Sequence, residues 1–218
     1  MCGGYGFTFK DKEAAYKRFN IVNTLDDLTP RFNMRPSQEN PVVIAQSPNR
    51  ILRMKWGFLR SWSTRPIINA TVEKLTTSHL WRDCFRFKRC LIPASFFYEP
   101  DKTVSPSQPY LFRLVHSDMF GIAGLYEEAV EEKTGKNTLY YVLITTKPNS
   151  LVELTHPRMA AVLRREDEDA WLNPDVTEPE KLLPLLAPIP SQEMTGYAVS
   201  RDSNYWYIDE PRLIEPLF

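Results

Sequence analysis

Cysteine is the second residue of the chain, in "MCGGYG". If Met1 is removed, Cys2 carries a free α-amine and a thiol on adjacent carbons, a pair that no internal cysteine has. The amine titrates near ~7.7–8.0 and the thiol near ~8.5, so both have reactive forms at neutral pH. Such an amine adds to an aldehyde to give an imine, and the thiol closes on the imine to give a five-membered thiazolidine. The same residue could serve as an N-terminal nucleophile in peptide chemistry, with the α-amine as base. The plainer reading is a small residue that permits methionine removal, followed by no chemistry.

Three other residues could supply proton transfer or orientation. Glu99 ends the apolar run "IPASFFYEP". It is either the polar end of a strand or an inward-facing acid whose burial raises its pKa toward neutrality and suits it to proton transfer. His156 is one of three histidines, with His79 and His116, and "LTHPRM" places it in a loop beside Arg158. Asn69 lies in "PIINATVE", where an amide must find partners or cost free energy, and could aim a donor at a reacting oxygen. Cys, Glu and His together raise the question of a metal, but no pair has ligand spacing such as C-x-x-C or H-x-x-x-H, so neither a metal nor a cofactor is expected. Basic and aromatic residues also interleave, in "RMKWGFLRSWSTRP" and "WRDCFRFKR". Cations for phosphates with rings for bases hold single strands, although a solvated strand face over buried tryptophans has the same composition.

These residues need elements to position them. Six short runs rich in β-branched and aromatic residues, bounded by turn signals, read as strands: "PVVIAQS", "RILRMKWGFL", "RCLIPASFFYE", "PYLFRLV", "MFGIAGLYEEA" and "TLYYVLITT". The short spacing between them favours antiparallel pairing. "DKEAAYKRFN", "TTSHLWRDCFRF", "NSLVELTH", "REDEDAWLN" and "EPEKLLPLL" read as helices, the third with an N-cap at Asn149 or Ser150. Strands in the middle with scattered helices give an α+β class. "DKTVSPSQ" is a hairpin loop, not a linker, so residues 1–218 are expected to form a single domain. Formal net charge is zero, so no global field draws the chain to polyanions and any such contact must be local. There is no apolar run of membrane-spanning length and no signal-peptide pattern. Three separated cysteines make no disulfide framework. A cytoplasmic monomer is expected, nucleoid-associated if it binds DNA.

Taken in order, the blocks resemble the SRAP family, the SOS response-associated peptidase-like proteins that sense abasic sites in single-stranded DNA. The blocks are "MCGGYG", "RFNMRPSQ", "KWGFL", "INATVE", "CLIPASFFYEP", "LTHPRMAAVL" and "VSRDSN". The resemblance implies a bifurcated, barrel-like antiparallel sheet flanked by short helices. It implies that Cys2 links covalently to the ring-opened abasic sugar, that Asn69 orients the reacting groups, that Glu99 shuttles protons and that His156 assists at the sugar. It also implies an autopeptidase that exposes Cys2, and the rival enzyme reading is an autoprocessing thiol peptidase with Cys2 as nucleophile, His156 as base and Glu99 as orienter. A non-catalytic single-strand binding module is the reading from another class. The chain departs from the family pattern at Gly4, Thr71 and His79, where arginine is usual, and at Pro100, where an aromatic is usual. Each lost arginine removes a phosphate contact. The expected DNA-binding set is therefore Arg35, Pro36, Lys55, Trp56, Arg60, Trp62, Arg65, Thr71, His79 and the retained Arg158.

Overall fold

The computed structural model describes residues 2–46, 48–131 and 134–217. The strands in chain order are β1 (Tyr5–Phe7), β2 (Arg31–Met34), β3 (Glu39–Ile44), β4 (Arg50–Trp56), β5 (Asn69–Thr71), β6 (Arg89–Ala94), β7 (Phe96–Asp101), β8 (Gln108–Leu114), β9 (Phe120–Val130), β10 (Asn137–Thr146), β11 (Met159–Ala160) and β12 (Met194–Ala198). The α-helices are α1 (Lys12–Arg18), α2 (Arg82–Phe87), α3 (Glu168–Leu172) and α4 (Pro179–Leu182).

Strands β10, β4, β3, β6 and β9 pair in that order, and β9 pairs back onto β10, so the sheet closes into a five-stranded barrel. The second sheet is open and antiparallel, in the order β12-β8-β7-β1-β2. The expected α+β class and barrel-like sheet are present. Two pairings differ from the antiparallel expectation: β10 runs parallel to β4 and to β5. Spacing constrains only strands joined by a short connection. Five strands lie between β4 and β10 in sequence, so their pairing needs no tight crossover.

The two sheets are joined where "CLIPASFFYE" divides. It reads as one strand, but Ser95 splits it into β6 of the barrel and β7 of the open sheet. The Ser95 backbone N–H donates to Gly6 O at 2.7 Å. Its hydroxyl donates to Thr8 O at 2.9 Å and accepts from Thr8 N–H at 3.1 Å. These bonds to β1 and its extension turn the chain out of the barrel. Below the fork, Tyr5 and Tyr141 share a hydroxyl hydrogen bond of 2.8 Å, and Tyr141 also accepts from Asn40 Nδ2 at 2.8 Å. The two hydroxyls and the Asn40 amide N–H satisfy one another, while Asn40 Oδ1 meets no donor among the described residues.

The helices are short, as the sequence reading has them. Asp11 caps α1, accepting from Ala14 N–H at 2.7 Å. Arg18 at its far end forks onto Glu168 of α3 at 2.7 and 2.8 Å. The segment after Asn149 differs: it forms only one 3-10 turn, Val152–Leu154. Asn149 Oδ1 still accepts from the Leu151 and Val152 N–H groups, at 3.1 and 3.0 Å. The "EPEKLLPLL" helix likewise passes from α4 into a 3-10 turn, Leu183–Leu186, because Pro184 has no N–H to continue the α-helical ladder.

Candidate active site

The end of β10 is flanked by β5 on one side and β11 on the other, with Leu143 opposite Asn69 and Thr146 opposite Met159. This places Asn69 and the 156–158 loop around one strand end. β7 brings Glu99 from the open sheet, and the N-terminal residues reach the same place because Gly4 O accepts from Tyr98 N–H at 2.9 Å. Cys2, Asn69, Glu99 and His156 are therefore drawn from four separate segments.

Cys2 and Glu99 are fully buried, and Asn69 and His156 nearly so. Asn69 Nδ2 donates to Cys2 O at 3.1 Å. Asn69 Oδ1 is buried and meets no donor among the described residues. A buried acceptor of this kind costs free energy when unmatched and suits an N–H or O–H of a ligand. The Cys2 thiol donates weakly to Gly4 O at 3.5 Å. Glu99 Oε2 lies 3.5 Å from His156 Nδ1. That nitrogen is also 3.0 Å from Arg158 O and 3.2 Å from Arg158 N. Protonated, it can donate to the Arg158 carbonyl; unprotonated, it can accept the Arg158 N–H. Arg158 is fixed in turn: its guanidinium forks onto Glu73 at 2.8 and 3.0 Å and donates to Thr145 O at 2.6 Å. Glu73 sits within "INATVE", and nothing in the sequence distinguished it from a surface acid.

Burial sets the proton inventory. It raises Glu99 from 4.5 to about 7, with positive charge, that of Lys102 included, pulling the other way. Burial also lowers His156 below its ordinary value, opposed by the Arg158 backbone. Near neutrality the histidine is thus neutral while Glu99 exchanges between acid and base. The Cys2 thiol is pushed far above the usual thiol range, first by burial and then by the Glu99 charge. Glu99 and His156 within 3.5 Å could be drawn as an ion pair, but the two shifts favour a carboxyl that holds the proton beside a neutral imidazole.

The expected DNA-binding residues divide. Trp62, Arg65 and His79 are exposed, Trp62 to 71%. Pro36 and Thr71 are partly exposed. Lys55 pairs with Glu131 at 2.7 Å, and Arg60 forks onto Glu127 at 2.6 and 2.8 Å. Trp56, expected to stack on a base, is instead a core residue. It is fully buried, its Nε1 donates to Ile68 O at 2.9 Å, and its ring packs against Tyr5 and Tyr141. Arg35, expected at a phosphate, is turned inward. It donates to Asn33 Oδ1 at 2.6 Å and Gly3 O at 3.0 Å, and to Ser203 O. A Cβ on Gly4 would fall 2.7 Å from Arg35 Cζ and Nη1, so Gly4 is the residue that admits Arg35 to this position.

The comparisons agree with this architecture. The model of the SOS response associated peptidase (SRAP) family matches residues 1–205, and the chain belongs to that family. It is 36% identical over 226 residues to the abasic site processing protein YoqW of Bacillus subtilis (strain 168), covering 99% of each chain. It is 27% identical to the abasic site processing protein HMCES of Xenopus tropicalis, covering 88% of this chain and 68% of that protein. A crystal structure of a protein from Bacteroides thetaiotaomicron shares the fold, with a TM-score of 0.85 at 21% identity over the full length of both.

Proposed function

We propose that the protein processes abasic sites in single-stranded DNA by linking them covalently to Cys2 after Met1 is removed. The reading rests on one observation: Asn69, Glu99 and His156 come together around Cys2. The names of its relatives support the substrate class.

The buried thiol stays protonated, so the α-amine attacks first. Its lone pair adds to the aldehyde carbon of the opened sugar, and a proton passes from nitrogen to oxygen to give a carbinolamine. Protonated Glu99 then gives its proton to the departing hydroxyl. The carbon–oxygen bond breaks, water leaves, and an iminium remains beside the Glu99 carboxylate. The thiol sulfur adds to the iminium carbon and its proton returns to Glu99. The product is a thiazolidine, and Glu99 is regenerated as the acid. A pKa near 7 lets one carboxyl serve both steps. Asn69 holds the Cys2 carbonyl and so fixes the direction of the adjacent amine. His156, neutral and held by Arg158, supports proton transfer as the sugar opens. No cofactor enters this chemistry. A thiol peptidase acting through a Cys2 thiolate is less well supported, because burial disfavours the thiolate.

The test uses protein whose N-terminus is verified as Cys2 and an end-labelled single strand bearing one abasic site. A denaturation-resistant adduct is expected from the wild type and none from Cys2→Ala. Identical behaviour of the two would overturn the proposal.

A further inference from the structure

The segment after Ser203 presents three consecutive aromatic rings to solvent. Tyr205, Trp206 and Tyr207 are 50%, 67% and 66% exposed. Rings of this size are usually placed inside. Their backbone, by contrast, is tied to β2. Asn33, fully buried, donates through Nδ2 to the carbonyls of Tyr205 and Ile208 at 2.9 and 2.8 Å. Asp209 Oδ1 accepts from the Phe32 and Asn33 N–H groups at 2.6 and 2.9 Å, and its other oxygen pairs with Arg31. The rings touch one another, with centroids 5.7 Å apart for Tyr205 and Tyr207 and 5.9 Å for Trp206 and Tyr207. Tyr205 and Tyr207 are tilted by 31° and Trp206 stands edge-on to Tyr207 at 87°, so a tied backbone carries exposed rings on which a base can stack.

Its place in the fold connects it to Cys2. The guanidinium of Arg35 donates through one nitrogen to Gly3 O and through the other to Ser203 O. One planar group therefore joins the residue after Cys2 to the residue two before Tyr205. Most charges flanking the rings in sequence are already matched, Arg31 with Asp209 and Arg212 with Asp202 and Glu210, while Arg201 donates to Pro106 O. Such a surface favours an uncharged π-face over a phosphate.

We propose that Tyr205, Trp206 and Tyr207 form a stacking platform for the nucleobase next to the abasic residue held at Cys2. This rests on the reading of Cys2 as the abasic-site nucleophile. The chemistry of the lesion supplies the reason. An abasic residue has no base, so its neighbour in the strand has lost a stacking partner on one side. A protein ring can take that place, and base–aromatic stacking tolerates any base sequence.

The experiment uses single strands with one abasic site flanked on one side or the other by 2-aminopurine, whose emission is quenched by stacking, and matched strands without the abasic site. The wild type is expected to quench one flanking probe and to form the adduct. Trp206→Ala, and a variant with all three rings changed to alanine, should need roughly tenfold more abasic strand for half-maximal adduct rate, the order expected for one lost stacked base. The same variants should lose the quenching and bind the undamaged strand nearly as wild type does, while Trp206→Phe recovers most of the loss. If the wild type forms adduct and the alanine variants match it in concentration dependence and quenching, the platform is wrong and the Cys2 reading stands. Equal losses on abasic and undamaged strands would overturn its placement beside the lesion. If the wild type forms no adduct, the Cys2 reading fails and the platform falls with it.

Discussion

Changing Glu99 to glutamine keeps the size and polarity of the side chain and removes its proton chemistry. At its ordinary 4.5, a carboxyl is protonated in about one molecule in 300 at pH 7; at about 7, the value that burial imposes, about half are protonated. Burial thus enriches the acid form about 150-fold while leaving an equal share of base for the ring-closing step. We expect the Glu99→Gln variant to form adduct about 10²–10⁴-fold more slowly at pH 7, the usual worth of a positioned acid–base group. The assay is single-turnover adduct formation from about pH 5.5 to about pH 9, with the reaction needing a neutral amine and a protonated Glu99. The wild-type rate should rise through about pH 7 and fall through about pH 8, where the two pKa values bound it. The variant should show only the rise due to the amine. Stability supplies a second readout with a fixed sign. A carboxyl whose folded pKa is raised gives stability below its unfolded value, and that stability is lost as pH rises through the folded value. Between 4.5 and about 7 the wild type should therefore lose up to about 3 kcal/mol relative to Glu99→Gln, read by urea unfolding at pH values on either side. A variant that keeps both the falling limb and a rate within about threefold of wild type would refute the assignment of Glu99.

Two further outcomes follow from the neighbouring packing. Gly4→Ala puts a Cβ 2.7 Å from a guanidinium held by three acceptors, and should cost about 1–3 kcal/mol in urea unfolding. Most of that cost should disappear when Arg35→Ala is already present; strictly additive costs would mean that the two positions do not compete. Glu73→Gln should change stability by less than about 1 kcal/mol, since Glu73 is half exposed, yet slow adduct formation without raising the DNA concentration for half-maximal rate. Unchanged kinetics would show that the Glu73–Arg158 fork does not position His156.

Much of the fold was legible because its strands carry strong local signals. The apolar runs from Pro41 to Thr146 became barrel and sheet strands near their expected bounds, and Asp11 capped the helix that its neighbours announced. The barrel-like sheet came only with the family resemblance and not from the strands themselves, since closure depends on β10 meeting β4 and β9 at once, a long-range pairing with no local signature. Division of "CLIPASFFYE" was hidden for a related reason. The serine that turns the chain takes its partners from Gly6 and Thr8, almost ninety residues earlier.

The site divides along the same line. Cys2, Asn69, Glu99 and His156 stood out as candidates by residue type, each beside a plainer structural reading, and their roles came only with the family resemblance. The cations could not be sorted even so far, because a basic side chain reads alike whether it faces water or an internal acceptor. Lys55, Arg60 and Arg158 have acidic partners brought from distant segments, and Arg35 has three oxygens. Gly4 illustrates the point most directly. Compared by motif, position 4 has lost a positive charge. In the fold, a guanidinium lies against its Cα, supplied by the residue that follows β2. The two positions draw on one volume, so a side chain at residue 4 and Arg35 in this conformation exclude each other. The charge beside Cys2 is thus retained but committed to the Gly3 and Ser203 carbonyls. That commitment takes Arg35 out of the set of cations open to solvent, whereas Arg65 and Trp62 stay exposed.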